Sequence, residues 1–314
     1  MNRVADYGRP LDAFLNSRLN NALREYVPNI LETLVQSQLN KRFDHALFGL
    51  KPKHGIYSAH PTINDELPNR IASGTVRVKP QIESFTEKGL RFVDATAVEH
   101  VDNVILCTGY SIEFPCLEKG NLVKVRDNEL DAYQYIYPTA LEHETLGLIG
   151  LIQPLGSIMP IAEMQARVFL DVLSGTTKLP SNKERAEHVR ATRERMQQRY
   201  LASRRHTIQV DCIPYMDQLA ELIGCTPPAW QSFLTDPRMA FATAFAPCAS
   251  NFYRLRGPHP WKEARAAILT IEDRIVQATD AKAKGSCFNA IRSQQVHQFA
   301  TLLIFIVVLI IAFV

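Results

Sequence analysis

None of the fourteen glycines in this 314-residue chain stand two apart; the closest pair is Gly147 and Gly150. A dinucleotide-binding turn needs glycines at a strand-to-helix junction so that backbone N–H groups and the helix dipole can hold a pyrophosphate, so the sequence contains no such turn. The six cysteines (Cys107, Cys116, Cys212, Cys225, Cys248 and Cys287) include no Cys-x-x-Cys pair. That argues against a zinc site, and with no recognisable secretory signal their scatter leads us to expect a reducing, cytosol-facing setting. The nine histidines never fall four apart, and neither a Gly-x-Ser-x-Gly elbow nor a Ser/His/Asp arrangement occurs, which leaves hydrolytic chemistry without its usual carriers. Asp65 and Glu66 are adjacent, so on any regular element they point different ways and read as closing a turn before Pro68, not as an acid/base pair. Lys and Arg number 35 against 32 for Asp and Glu, an excess of three that is too small to point to nucleic acid.

Composition is otherwise that of a folded protein, 46% hydrophobic, with room for one to three domains. Residues 299–314 carry no charge and, at about 1.5 Å per helical residue, would reach about 24 Å, somewhat short of the ~30 Å hydrocarbon core. A membrane tail anchor is expected there. Lys282, Lys284 and Arg292 precede it and nothing charged follows it, so the body is expected on the cytosolic side, with the thin endoplasmic reticulum bilayer as the natural host.

Apolar residues at three- and four-residue spacing predict helices over 11–48, broken at Pro28, with two core helices as the first reading and an exposed apolar face as the second. Alternation around Lys88-Gly89 predicts a strand and hairpin over 75–94. Thr145–Ile152 reads as a strand followed by a short loop and a helix capped by Ser157 and stopped at Gly175. In that unit a helix N-terminus faces whatever sits beyond Gln153-Pro154-Leu155-Gly156. On the residues alone, a plain β–α connection with Gln153 solvated is the favoured reading. Ser181 and Glu184 form a capping box at the start of a charged helix over 181–206, whose arginines alternate with glutamates as on a solvated face. Residues 207–262, rich in proline and aromatics, read as short helices and loops.

The segment Val101–Pro115 holds an apolar run, Val104 to Cys107, of buried-strand length, and closes on Thr108-Gly109-Tyr110, where the glycine lets the backbone approach something closely. With its neighbours it resembles the point where eukaryotic flavin-containing monooxygenases pass from their NADPH domain back into their FAD domain, with Cys107 in place of an alanine. Asn64-Asp65-Glu66-Leu67-Pro68, Ile149-Gly150-Leu151-Ile152-Gln153-Pro154-Leu155-Gly156 and Met159-Pro160-Ile161-Ala162-Glu163 resemble further motifs of that family, in its order. Asn2-Arg3-Val4 and Asp6-Tyr7-Gly8 are similar to the stretch soon after the family's second glycine-rich turn, so the chain is expected to start in the middle of a domain.

The resemblance implies an α/β fold: a partial Rossmann-like flavoprotein of two dinucleotide-binding domains, with a C-terminal membrane helix. Residues 1–100 would be the later part of the NADPH-binding domain with a helical insertion and 101–180 the returning part of the FAD-binding domain. A helical and loop region would fill 181–298, and the tail 299–314. It implies FAD and NADPH as cofactors, and oxygenation of a small amine or sulfide through a flavin hydroperoxide. Thr108, Gly109 and Tyr110 would be the turn near both cofactors, Gln153 and Pro154 the loop facing the flavin, and Arg3 would lie near the NADP phosphate. Association with full-length relatives is a further expectation. The alternative is a membrane-anchored interaction protein without catalysis.

Overall fold

The computed structural model describes Gly8 and residues 10–93, 95–228 and 232–278. In chain order these form α1 (Leu11–Leu15), α2 (Arg18–Tyr26), α3 (Pro28–Arg42) and α4 (Leu67–Ala72), then β1 (Ile82–Thr86), β2 (Gly89–Phe92), β3 (Val98–Glu99), β4 (Val125–Arg126) and β5 (Glu129–Leu130). There follow β6 (Ala132–Tyr133), β7 (Tyr137–Pro138), β8 (Gln153–Pro154), α5 (Met159–Leu173), α6 (Asn182–Arg199), β9 (Gln209–Val210), α7 (Cys212–Leu222), α8 (Ser232–Thr235), α9 (Pro237–Phe245), α10 (Ala264–Leu269) and α11 (Ile271–Ile275). They divide into two compact units, one from 29–130 with 196–207, the other from the described residues up to 28 with 131–195 and those from 208 onward.

In the first unit the hairpin predicted around Lys88-Gly89 is present. β1 and β2 pair antiparallel with Phe85 opposite Leu90, and β3 adds a third strand. Leu90, Phe92, Val123 and Leu130 are this unit's buried apolar residues among those described. A second hairpin, β4–β5, turns on Asp127-Asn128, whose φ values of 50° and 64° are the left-handed pair that a two-residue hairpin loop requires. The run Val104–Cys107 departs from expectation: it forms no strand, and Ile105 is 85% and Leu106 71% exposed. An apolar run becomes a buried strand only where a neighbouring strand takes up its N–H and C=O groups, and no described residue pairs with this one. Changing Ile105→Lys and Leu106→Lys together is therefore expected to alter thermal stability by less than about 0.5 kcal/mol per site. In a buried strand each unpaired charge would cost several times more, so a thermal melt separates the two cases.

The helices predicted over 11–48 are present, but they are not core helices: no residue of α2 or α3 is fully buried, and Ile30 and Leu34 are more than half exposed. Three- and four-residue spacing builds an apolar stripe; burial also needs a surface for it to pack on.

The second unit holds the main core. Ile161, Met164 and Val168 of α5 pack with Tyr215, Met216, Leu219 and Ala220 of α7, around Ile136, Tyr137, Ile152, Phe252, Tyr253 and Ile268. Burying an Ile or Leu side chain of this set contributes about 2 kcal/mol. α2 is joined to α7 by two arginine–aspartate pairs, Arg18–Asp217 and Arg24–Asp211; as one helix is ascended the other is descended, so the helices run antiparallel. The hairpin β6–β7 turns through Gln134 and Tyr135, both at positive φ, and the buried Tyr215 hydroxyl donates to Gln134 O.

The stretch Thr145–Ile152, predicted as a strand, is irregular; strand pairing begins only at β8, which runs parallel to β9. Gly147 explains part of this, because it lies against the Phe169 ring, 2.5 Å from where a Cβ would stand, and the close approach bends the segment onto α5. α6 begins at the predicted capping box: Ser181 N–H and Oγ donate to Glu184 Oε2 at 2.8 and 2.7 Å, and Glu184 N–H donates to Ser181 Oγ at 3.4 Å. The helix ends at Arg199 instead of 206. The Ser181 side chain, then its backbone N–H, hold the Glu184 carboxyl below its ordinary range. A carboxyl depressed in the folded state contributes stability above its ordinary pKa, which is lost as pH falls through the native value. Glu184→Gln is accordingly expected to flatten the acid limb of a circular-dichroism pH titration below the usual carboxylate range.

The expected fold class is corrected in two respects. Among the described residues no helix is long and apolar enough to cross a membrane. α5, with its apolar stripe, has 15 residues, about 22 Å at the helical rise, and carries Glu163, Arg167 and Asp171. The tail expected as a membrane helix, 299–314, lies outside the described residues, so the fold is written without that helix. Parallel pairing among the described residues is confined to β8–β9; the α/β content is made of hairpins and helices, not of a wide parallel sheet.

Candidate functional site

α5 positions one group of the predicted residues. Ile161, Met164, Gln165 and Val168 recur at three and four and face the core, Pro160 occupies the first turn, where its missing N–H costs nothing, and Gly175 follows the last turn. Gln165, fully buried in that apolar stripe, must be satisfied. Its Oε1 accepts from Gly150 N–H at 2.8 Å and its Nε2 donates to the Tyr215 hydroxyl at 2.8 Å. Burial holds the Tyr215 phenol protonated, far above its ordinary range. A continuous line of donors, from Gly150 N–H through Gln165 and Tyr215 to Gln134 O, thus ties the loop before β8 to α5, α7 and the β6–β7 turn.

The loop itself is held at several points. Gln153 N–H donates to Ile208 O at 2.7 Å, and the Gln209 side chain donates through Nε2 to Gln153 Oε1 at 2.7 Å. Asn16 Nδ2 donates to Leu155 O at 3.2 Å. Gly156 sits at φ 127°, and a Cβ there would stand 2.6 Å from Asn16 Nδ2, so only glycine lets this side chain reach the loop. Pro154 is buried, Gln153 half-buried, and Gly156 to Met159 exposed.

Ser157 does not cap α5 as predicted. Its Oγ lies 3.2 Å from Met159 Sδ, and the N-cap position is Ile158, with helical dihedrals and no side-chain cap hydrogen bond. Helical dihedrals at Ile158 carry the helix start one residue past the serine. Pro160 has no N–H and Ile161 N–H donates to Ile158 O at 3.0 Å, so the donors left at the helix start are the N–H groups of Ile158 and Met159, a small, partly positive edge beside the loop suited to an acceptor.

Thr108, Gly109 and Tyr110 lie in the other unit, all exposed, with Tyr110 at 96%. Gly109 has φ 99°, a conformation that side chains disfavour. The segment after it is fixed by Asn128, which donates from Nδ2 to Tyr110 O at 2.9 Å and to Arg204 O at 3.0 Å, and accepts from Ile112 N–H at 2.8 Å. Arg3 lies outside the described residues. Gln153 and Pro154 are thus neighbours on one strand, and Thr108 to Tyr110 form an irregular exposed segment in the first unit.

Four residues that shape these segments are not among those expected from the sequence. Gln165 had a signal, a polar residue four after Ile161 on an apolar stripe. Asn128 had one in the Asp-Asn pair of a hairpin turn. Asn16 and Gln209 had none, since their partners are 139 and 56 residues away. Behind the site, Arg167 donates to Tyr253 O and Pro258 O, both at 3.0 Å; burial pushes its guanidinium down and pushes the neighbouring Cys225 thiol up. Among the described residues no group of His, Cys, Asp and Glu is arranged to hold a metal ion.

Comparison with known proteins gives a consistent result. A family model described as flavin-binding monooxygenase-like matches residues 1–313. Flavin-containing monooxygenase 5 of Rattus norvegicus is 48% identical over 276 residues, covering 88% of this chain and 51% of that protein. The Homo sapiens protein of the same name is 45% identical over the same span, and dimethylaniline monooxygenase (N-oxide-forming) 2 of Macaca mulatta is 38% identical over 278 residues. The chain spans about half the length of the curated relatives it matches. A solved structure, an S-allyl-L-cysteine S-oxygenase from Allium sativum, aligns to 46% of this chain and 33% of its own at 31% identity and a TM-score of 0.39.

Proposed function

The chain belongs to the flavin-binding monooxygenase-like family, and on that premise we propose that it supplies the flavin-facing loop and helix of an FAD- and NADPH-dependent monooxygenase that oxygenates small amines or sulfides. The observation that carries this reading is the Gln153–Met159 unit, a loop held by three hydrogen bonds to Ile208, Gln209 and Asn16 beside a 15-residue helix with no side-chain cap. The residues present fit one edge of a flavin. Gln153 offers a side-chain amide, the start of α5 offers the N–H groups of Ile158 and Met159, and Gly156 lets Asn16 hold the loop between them. When bound, the flavin supplies the electron transfer from NADPH to O₂; this chain's residues orient its edge and keep the loop shape fixed. With no Gly-x-Gly turn in the sequence, the contribution lies at the ring and not at the pyrophosphate.

In the same reading Thr108, Gly109 and Tyr110 form the turn between the NADPH part (1–100) and the returning FAD part (101–180), with 181–298 as the helical C-terminal region and Arg3 near the NADP phosphate. The order of the motifs along the chain supports these assignments. Location at the endoplasmic reticulum belongs to the proposal too, supported by the resemblance alone. The purified chain is expected to bind FAD reversibly, seen as quenching of flavin fluorescence on titration. Unchanged fluorescence at high protein concentration would overturn the reading for this chain.

A further inference from the structure

Gln153 and Gln209 are register partners on the parallel pair β8–β9, so their side chains leave the same face of the pair. Gln209 is 5% exposed and donates through Nε2 to Gln153 Oε1 at 2.7 Å, while the backbone N–H of Gln153 is taken by Ile208 O at 2.7 Å. A primary amide has one carbonyl acceptor and one pair of N–H donors, and which end points where is decided by its neighbours. Here the neighbour claims the carbonyl. The end left over is Nε2, and no described residue accepts from it. The start of α5, six residues on, has the same polarity through the Ile158 and Met159 N–H groups, so both groups beside the loop offer hydrogen and neither offers a lone pair.

We propose that Gln209 is a positioning residue that locks Gln153 as a hydrogen-bond donor, so that the site recognises its ligand by an acceptor edge: a ring carbonyl or ring nitrogen, as on a flavin's pyrimidine-dione, or the carboxamide oxygen of a nicotinamide. This rests on the functional reading above and adds the polarity of the recognition. Gln209→Glu inverts that polarity. A carboxylate only accepts, so it draws Nε2 of Gln153 inward and turns the carbonyl toward the ligand, setting lone pair against lone pair. Gln209→Met removes the lock without inverting it, leaving both amide orientations open. Gln153→Glu keeps the bond from Gln209 but replaces the outward donor by an acceptor.

The test titrates the full chain and these variants separately with FAD, by fluorescence quenching and the position of the visible flavin band, and with NADP⁺, by equilibrium dialysis. The expected order for one of the two nucleotides is wild type, then Gln209→Met about two- to threefold weaker, then Gln209→Glu and Gln153→Glu about tenfold weaker, as for one good hydrogen bond lost or opposed. The nucleotide that follows this order identifies which acceptor edge is read. If FAD is the one, the visible band of the bound flavin shifts in Gln209→Glu and not in Gln209→Met, a change that simple loosening of the β8–β9 pair would not produce. Wild-type affinity in Gln209→Glu, or equal losses in Gln209→Glu and Gln209→Met, would overturn the proposal while leaving the functional reading in place. Failure of the wild-type chain to bind either nucleotide would overturn both. Should Gln209→Glu not fold, Gln153→Glu decides by itself, since retention of wild-type affinity there contradicts a donor role.

Discussion

Asp217→Ala is expected to lower the unfolding free energy of the second unit by about 3 kcal/mol, the cost of stranding a largely buried arginine cation. Arg18 grips this carboxylate with both terminal nitrogens, Nη1 to Oδ2 at 2.6 Å and Nη2 to Oδ1 at 2.7 Å, and the Tyr253 hydroxyl donates to Oδ1 at 2.8 Å. Side-chain exposures of 19% and 25% keep most of the pair from water, so solvent screening does not cancel it as it would on an open surface. Burial by itself would depress the Arg18 guanidinium, but its hydrogen bond to Asp217, with Tyr253 beside it, outweighs burial and leaves it more basic than an ordinary arginine. Removing the aspartate removes that compensation and leaves the desolvation in place. Exchanging both partners, Arg18→Met with Asp217→Leu, is expected to recover most of the loss, because two apolar side chains of similar volume need no charge partner. Urea unfolding followed by near-ultraviolet circular dichroism measures both variants; a loss below about 1 kcal/mol for Asp217→Ala would show the pair to be an ordinary surface bridge.

Gln165→Leu is expected to cost about 2 kcal/mol, since it leaves the Gly150 N–H without its acceptor and takes from the fully buried Tyr215 hydroxyl the hydrogen bond it accepts, while that hydroxyl keeps its donation to Gln134 O. Leucine fits the volume and the apolar surroundings of α5, so the loss comes from unpaired polar atoms and not from a cavity. Tyr215→Phe in the same chain removes the hydroxyl that Gln165 bonds, so the Gln165–Tyr215 bond, counted in each single change, is lost only once in the double variant. The double variant is therefore expected to be about 1 kcal/mol more stable than the sum of the single changes predicts, the signature of a shared network. Strictly additive losses would mean that the two side chains act independently. Hydrogen exchange gives a local check: the Gly150 amide should lose protection in Gln165→Leu before the rest of α5 does.

Features that depend on residues close together in sequence were legible: the hairpin at Lys88-Gly89, the Ser181/Glu184 capping box and the stop of α5 at Gly175. Features that depend on a distant surface were not. Val104 to Cys107 has the composition of a buried strand, yet composition reports only what a segment is able to bury, and no strand among the described residues stands beside it. The apolar stripe of α3 misled in the same way. At the loop, Gln153 and Pro154 were picked out by the motif they belong to, whereas the atoms that fix them come from Asn16 and Gln209. Serine suits an N-cap, so Ser157 is the cap the sequence predicts; the helix starts one residue later, and the Ile158 and Met159 N–H groups share the donor polarity of Gln153.

The two Arg–Asp pairs between α2 and α7 also set a timetable for the newly made chain. Arg18 and Asp217 are 199 residues apart, and Arg24 and Asp211 are 187 apart. At ribosomal speeds of about 5–20 residues per second, α2 emerges roughly 10–40 s before the aspartates that neutralise its arginines exist. During that interval α2 has no carboxylate to dock on, and the second unit can close only when its latest segments arrive, a high-contact-order step of the slow kind. A nascent chain stalled between residues 26 and 211 would therefore present residues 18–26 undocked, too short to hold a helix by themselves and open to proteases and to chaperones.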